Sequence, residues 1–451
     1  MKRILIISYY WPPTGGSGVQ RWVKFAKYLP SFGWQPVIYT PSNPERLAVD
    51  ESLLKEVPPE AEIITTPIRE PYAVYKKFSG KGGKSQVNPL NSQKKSLKQK
   101  LAVWVRGNLF VPDPRVGWVE PSVKFLSAYL KEHPVDVVVT TGPPQSMHLI
   151  GKGLKEATGV RWIADFRDPW TEMFYFKHMG LWPLAEHRHR KLERQVLDGC
   201  DAVISVTPLV QKDFQAKTVT PVHLITNGYD ESDFPPVEPA PVLCAPVPSV
   251  PSAPGESPVP APDACAGAPA PFTLIHTGLF ASDGNPLKLW DTLKALCESD
   301  ERFRKALKIK LIGKIDPEIC AAIAARGLQD NLSNEGYLPH DRTVQEQRSA
   351  DILLLPLRQE PEYRKVLPGK IFEYLASRRP VLGIGQEDGA AATLLLETGA
   401  GRMFDWDKEE ELREFIESEW EKHLRGEQEP LRSDIEQYSR KALTAKLTEI
   451  L

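Results

Sequence analysis

Lys370 and Glu373 stand one helical turn apart inside the stretch VLPGKIFEYLASRRPVLGIG, Val366 to Gly385. An ammonium at a helix start can hold a phosphate together with the first backbone amides. A carboxylate one turn later can accept hydrogen bonds from sugar hydroxyls. The combination suits an anion bonded to a polyol. Gly369 would let such a ligand approach the backbone closely, and Pro368 fits a first helical position, where its missing N–H costs nothing. The helix that must position these groups has an apolar face of Ile371, Tyr374 and Leu375. Pro380 ends it, and Val381 to Ile384 reads as a buried strand. A helix packed on a sheet, with its charges in water, explains the segment equally well at this stage.

A second set of chemistry-bearing residues opens the chain. Arg3 to Ser8 is an apolar strand that runs into a loop containing Gly15, Gly16 and Gly18. A helix over Val19 to Leu29 and a strand over Pro36 to Tyr39 complete a βαβ unit. The glycines suit close approach to a phosphate or sugar, or a tight strand-to-helix turn. The loop is GGSG rather than GxGxxG, and the second strand ends at Thr40 rather than at an acid, so nicotinamide binding is disfavoured. Another strand, Arg161 to Ala164, leads into Asp165, Arg167 and Asp168. Polar groups at the carboxyl ends of parallel strands are placed to touch a substrate, or to pair with one another.

The bulk numbers set the frame. A chain of 451 residues is too long for one ordinary core, and a net charge of −1 argues against a general nucleic-acid binder. Five scattered cysteines without a CxxC pair indicate neither a disulfide framework nor a zinc site. His178, His187 and His189 lack metal-site spacing. No apolar run is long enough to cross a bilayer or to act as a signal peptide, so the expected location is the cytoplasm. Residues 69–106 carry ten Lys and Arg against the single acid Glu70, with Leu97, Leu101, Trp104 and Val105 interleaved. That run reads as a solvated insertion, or as a peripheral contact with an anionic membrane face. A proline-rich segment, 233–271, divides residues 1–232 from a second βα series at 272–431. A last helix, about 432–451, would fold back on the first domain. Two successive βα domains put a cleft between the carboxyl edges of two sheets.

The stretches YYWPPTGGSGVQR, TTGPP, ADFRDPW, VTP at 206–208, NGYD and KIFEYLASRRPVL occur in an order that resembles the bacterial family 4 glycosyltransferases. The likeness is greatest to those that build exopolysaccharides and cell-surface glycans. It implies an α/β GT-B fold: two Rossmann-like domains, a UDP- or GDP-linked sugar donor, no metal or other cofactor, and transfer with retention. It also implies roles for single residues. Gly15, Gly16 and Gly18 would approach donor phosphates or the acceptor. Gly369 and Lys370 would hold the diphosphate, and Glu373 the ribose. Tyr337 and Leu338 would frame the base. Gly278, Gly313 and Lys314 would end the strands that flank the nucleotide. Asp165, Arg167 and Asp168 would act on the substrate.

Three positions depart from the family pattern. Lys365 replaces a glutamate eight positions before Glu373, so contacts to the donor sugar must come from elsewhere. Gly284 replaces an arginine, with Lys288 as a candidate substitute, and Gln145 replaces a histidine. The leading expectation is a glycosyltransferase acting on a glycan or lipid-linked acceptor. A nucleotide-sugar epimerase or hydrolase, or a non-catalytic partner subunit with a decayed donor site, are the alternatives.

Overall fold

The computed structural model describes residues 1–46, 49–70, 97–235, 270–427 and 434–451. Most of the basic run and of the proline-rich segment lies outside these residues. Strands β1 (Lys2–Ile7), β2 (Trp34–Pro41), β3 (Glu62–Thr66), β4 (Val137–Gly142), β5 (Trp162–Phe166), β6 (Ala202–Ser205) and β7 (Val222–Leu224) form one sheet. Its order is β3-β2-β1-β4-β5-β6-β7, and every pairing is parallel. A second parallel sheet has the order β10-β9-β8-β11-β12-β13. Its strands are β8 (Phe272–Phe280), β9 (Leu307–Ile315), β10 (Leu332–Gly336), β11 (Ile352–Pro356), β12 (Val381–Ile384) and β13 (Gly401–Phe404).

The central strands read as unbroken apolar runs because helices cover both faces of a parallel sheet. Residues 4–7 of β1 and 352–355 of β11 are buried without alternation. The edge strand β3, sequence EIITT, alternates between half-buried and exposed positions and gives no such signal. The strand order of the first sheet reverses between β1 and β4, and that of the second between β8 and β11. The carboxyl ends at these switch points are where an open α/β sheet leaves a crevice for ligand. The glycine loop follows β1 and the TTGPP segment closes β4, so both emerge at the first switch point.

The terminal helix spans Arg440–Thr448, shorter than the 432–451 expected from the sequence. It packs on the first domain, where Leu443 and Leu447 join Ile4, Val19, Trp22 and Ile204 in one apolar cluster. The crossover is pinned by a parallel bridge between Tyr229 and Ser439. The Tyr229 amide donates to Tyr438 O at 3.2 Å, and the Arg440 amide donates to Tyr229 O at 2.8 Å. Gly228 makes this approach possible, since a Cβ there would lie 2.2 Å from Tyr438 O and 2.5 Å from Leu443 Cδ1. Neither Asp405 nor Asp407 caps the Glu409–Leu424 helix with its side chain. The cap is Lys408 with no side-chain bond, and Asp405 Oδ1 accepts from the Trp406 amide.

Gly228→Ala is expected to lower stability by about 1–3 kcal/mol through overpacking at the crossover. Urea unfolding of the full chain measures it, and an unchanged midpoint would show that the crossover tolerates separation.

Candidate active site

A cleft of about 990 Å³ lies between the two sheets, and both domains and the terminal helix line it. On the second-domain wall, the Lys370–Ser377 helix presents its N-terminus, with Gly369 as the half-in residue. Nothing lies within 4 Å of where a Gly369 Cβ would project, so that approach is open. Tyr374 anchors the helix: its hydroxyl accepts from the Thr277 amide at 2.9 Å and donates to Leu354 O at 3.3 Å. Lys370 is half-buried beside His276, with Nζ 3.4 Å from His276 Nε2 and 3.3 Å from Leu279 O. Burial brings its ammonium down to about 7, against the opposing pull of Glu373.

His276 is fully buried. Its Nδ1 lies 3.1 Å from Leu354 O, which can only accept, so the proton is on Nδ1 and Nε2 receives the Lys370 ammonium. Burial, reinforced by Lys370, holds the imidazole neutral. Gly278 lies directly against Lys370. It has φ of +96°, and a Cβ there would sit 3.2 Å from Nζ. Gly313 has φ of +120° and passes Gly278 O so closely that a Cβ would come within 2.3 Å. Both glycines line the cleft. Lys314, one residue on, is exposed and does not line the cleft. The donor contact expected of Lys314 has no support from this geometry.

Glu373 also lines the cleft, and Gln347 Nε2 donates to its Oε2 at 3.3 Å. Burial raises its carboxyl, opposed by His340 and Gln347. Tyr337 and Leu338 lie on the cleft wall, Tyr337 with 80% of its surface exposed. Arg358, which the sequence reading missed, supplies a further cation there. It pairs with Asp283 at 3.0 Å and stacks over Phe174 and Tyr363. Lys288 does not fill that role; it pairs with Glu409 at 3.0 Å on the surface.

The first-domain wall corrects one assignment more sharply. Asp165 is fully buried and does not line the cleft. Arg21 donates to it through Nε at 3.3 Å and Nη2 at 3.0 Å, Trp22 Nε1 at 2.7 Å and Thr141 Oγ1 at 2.8 Å. Burial alone would raise this carboxyl, but Arg21, Trp22 and Thr141 hold it below the usual range. It is a positioning residue. Arg167 reaches the cleft but is spent on carbonyls: Gly18 O at 2.7 Å, Gly142 O at 3.3 Å and Pro143 O. It ties the glycine loop to the TTGPP segment. Gly18 makes room for it, since a Cβ there would lie 2.8 Å from Arg167 Nη1. Gly16 lines the cleft at φ of +108° where the Ser17–Tyr28 helix begins, whereas Gly15 is off the wall.

Asp168 lines the cleft and, among the described residues, its carboxylate has no hydrogen-bond or ion-pair partner. Burial raises it, with Arg167 opposing. Gln145 faces the same space, 6% exposed, with neither amide oxygen nor nitrogen bonded. His148 is not a cleft group: it stacks on Phe166 at 4.3 Å, and burial pushes it down to about 3. Lys365 reaches across the cleft to the first domain, pairing with Glu172 at 3.1 Å and Asp213 at 2.5 Å.

Residues 87–233 match the model of Glycosyltransferase Family 4. No curated protein matches. Among solved structures, a sucrose-phosphate synthase from Thermosynechococcus elongatus aligns at TM-score 0.60 and 13% identity, covering 100% of this chain and 98% of the other. WaaG, a glycosyltransferase involved in lipopolysaccharide biosynthesis, aligns at 0.53 and 15% identity, covering 99% of each. S. aureus TarM, in a complex that includes UDP, aligns at 0.53 and 10% identity, covering 100% and 99%. At these identities the alignments establish a shared GT-B fold.

Asp165→Ala should cost about 3–5 kcal/mol of stability by leaving Arg21 buried and unpaired. Thermal unfolding tests this, and a stable but inactive variant would return Asp165 to the reaction. Lys370, near half-charged at neutral pH, should take up a proton when a diphosphate binds. Affinity for UDP or GDP should then fall by up to about tenfold per pH unit from pH 7 towards 9. Calorimetry in buffers of different ionisation heat measures the uptake, and Lys370→Met should abolish it.

Proposed function

We propose that this chain, a family 4 glycosyltransferase of GT-B fold, moves a sugar from a UDP- or GDP-linked donor to a glycan or lipid-linked acceptor. The reaction would serve cell-surface polysaccharide synthesis with retention at the anomeric carbon. The observation that carries the donor reading is the cationic helix terminus at Gly369 and Lys370, open to the cleft, with Glu373 one turn behind it. A departing nucleoside diphosphate gathers negative charge, which preorganised amides and ammonium groups stabilise best in a partly desolvated site. Lys370, the amides beside it and Arg358 are the groups for that task, and on this reading the transfer needs no metal. Retention rests on the resemblance alone.

The sugar half of the site is read from the opposite wall. Lys365 is committed to Glu172 and Asp213, so Gln145 and Asp168 are the free polar groups proposed to meet sugar and acceptor hydroxyls. Asp168, with its raised carboxyl, suits acceptance of a hydroxyl proton. An epimerase or hydrolase would need a close acid and base pair. Withdrawal of Asp165 into the core leaves Asp168 and Glu373 on separate walls.

Peripheral contact with a membrane belongs to the same reading. Leu101, Trp182 and Leu184 are exposed, and the Trp104 and Trp182 rings meet at 4.9 Å. On the Pro183–Gly199 helix, Leu184, His187, Arg188 and Lys191 share one exposed face. An apolar tip flanked by cations suits an anionic lipid surface.

A thermal-shift screen of UDP-, GDP- and dTDP-sugars should find one base series that stabilises the protein, by about 2.7 kcal/mol at a hundred times Kd. Silence towards every donor would favour the partner-subunit alternative. Asp168→Asn should lower kcat by at least about a hundredfold while donor Kd holds. Glu373→Ala should weaken donor binding; unchanged affinity would remove Glu373 from the ribose.

A further inference from the structure

Arg440 opens the terminal helix where the chain crosses back to the first domain, and it is 5% exposed. It lines the cleft together with Asn227, Gly228, His340 and Glu373. Its backbone is fully used: the amide donates to Tyr229 O at 2.8 Å, and its carbonyl accepts from Thr444 Oγ1 at 2.7 Å. Its guanidinium is not. Among the described residues it makes no hydrogen bond or ion pair, and Nη1 is fully buried without a partner.

The carboxylates that share its surroundings are engaged elsewhere. Asp230 is held by Lys24 at 2.7 Å, Lys27 at 3.0 Å and Tyr28 at 2.6 Å. Asp233 faces His340 Nε2 at 3.2 Å, and Glu373 accepts from Gln347. Arg21, a like charge that acts on it, is consumed by Asp165. A cation at the first position of a helix also opposes the helix dipole. A guanidinium has five donors and no means of accepting, so leaving it buried and unpaired is costly in every respect. Such a group is retained where a ligand supplies the missing acceptor.

We propose that Arg440 forms an anion subsite at the domain crossover, taking a phosphate group of the bound ligand in bidentate fashion. This rests on the donor reading of the cleft and adds to it a contact from outside the nucleotide-binding domain. Lys370 and the helix terminus engage the phosphate from the second-domain wall; Arg440 engages it from the segment joining the two domains. The planar fork of arginine matches phosphate geometry in a way a lysine cannot. The phosphate comes from the donor diphosphate or from a phosphorylated acceptor, and binding assays separate the two.

The test uses the full chain with Arg440→Gln and Arg440→Lys, titrated with UDP, GDP, uridine, inorganic pyrophosphate and farnesyl diphosphate. Arg440→Gln should weaken phosphate-bearing probes by about tenfold or more and leave uridine unaffected. Removing an unpaired buried charge should also leave the ligand-free unfolding midpoint unchanged or higher. Arg440→Lys should recover part of the affinity. Loss confined to UDP and GDP assigns the subsite to the donor, and loss confined to farnesyl diphosphate assigns it to the acceptor. Wild-type affinity of Arg440→Gln for every phosphate probe overturns the proposal. So does a lowered midpoint with equal affinity loss in both variants. If Lys370→Met abolishes UDP binding while Arg440→Gln does not, the donor reading stands and this inference falls. If the wild-type protein binds no phosphate probe, both fall.

Discussion

The first domain depends on one fully buried ion pair. Arg21, on the helix after β1, reaches Asp165 at the end of β5, and the guanidinium also donates to the carbonyls of Ile225 and Thr226 at 2.8 and 2.6 Å. With Trp22 and Thr141 added, the carboxylate binds together β4, β5, the first helix and the segment after β7. Two isolated charges in such a place would each cost several kcal/mol, so the pair persists only because every oxygen and nearly every donor is satisfied. The glycine loop, the TTGPP segment and the NGYD turn are thereby fixed relative to one another. Arg167 repeats the device on a smaller scale, using carbonyls of Gly18, Gly142 and Pro143 in place of a carboxylate. Only with these loops held can Asp168 and Gln145 face the cleft without partners of their own.

The second domain has the opposite character. Its key charges are under-satisfied: Lys370 leans on a neutral histidine and Glu373 has a single amide, and at the crossover the Arg440 guanidinium has no partner among the described residues. The cleft therefore holds cations whose charged forms are strained by desolvation, and on the proposed donor reading a phosphate would relieve that strain. Stability is given up at the site and recovered elsewhere, in the apolar clusters under each sheet. Lys365 belongs to neither class. It forms part of a bridge to Glu172 and Asp213 and contributes to holding the two walls together.

The fold was largely legible because parallel strands buried on both faces leave continuous apolar runs, as in β1, β4 and β11. The edge strand β3 was not, since half of its residues meet solvent. The helix terminus that carries Gly369, Lys370 and Glu373 could be read from local spacing, since a helix terminus is a local object. Asp165 could not, because its partner Arg21 is 144 residues away and only the sheet brings them together. His276, Arg358 and Arg440 carried no motif. Each is a polar residue in or beside an apolar run, and its meaning comes from a cavity that the sequence does not display.

The central claim is that the Lys370–Ser377 helix terminus receives a nucleoside diphosphate in the interdomain cleft. The most direct measurement is a crystal structure of the protein with UDP or GDP bound. The account predicts phosphate oxygens within hydrogen-bond distance of Lys370 Nζ and the amides at Gly369 to Ile371, with the ribose hydroxyls on Glu373. A nucleotide bound elsewhere, with Lys370 still turned to His276, would contradict it.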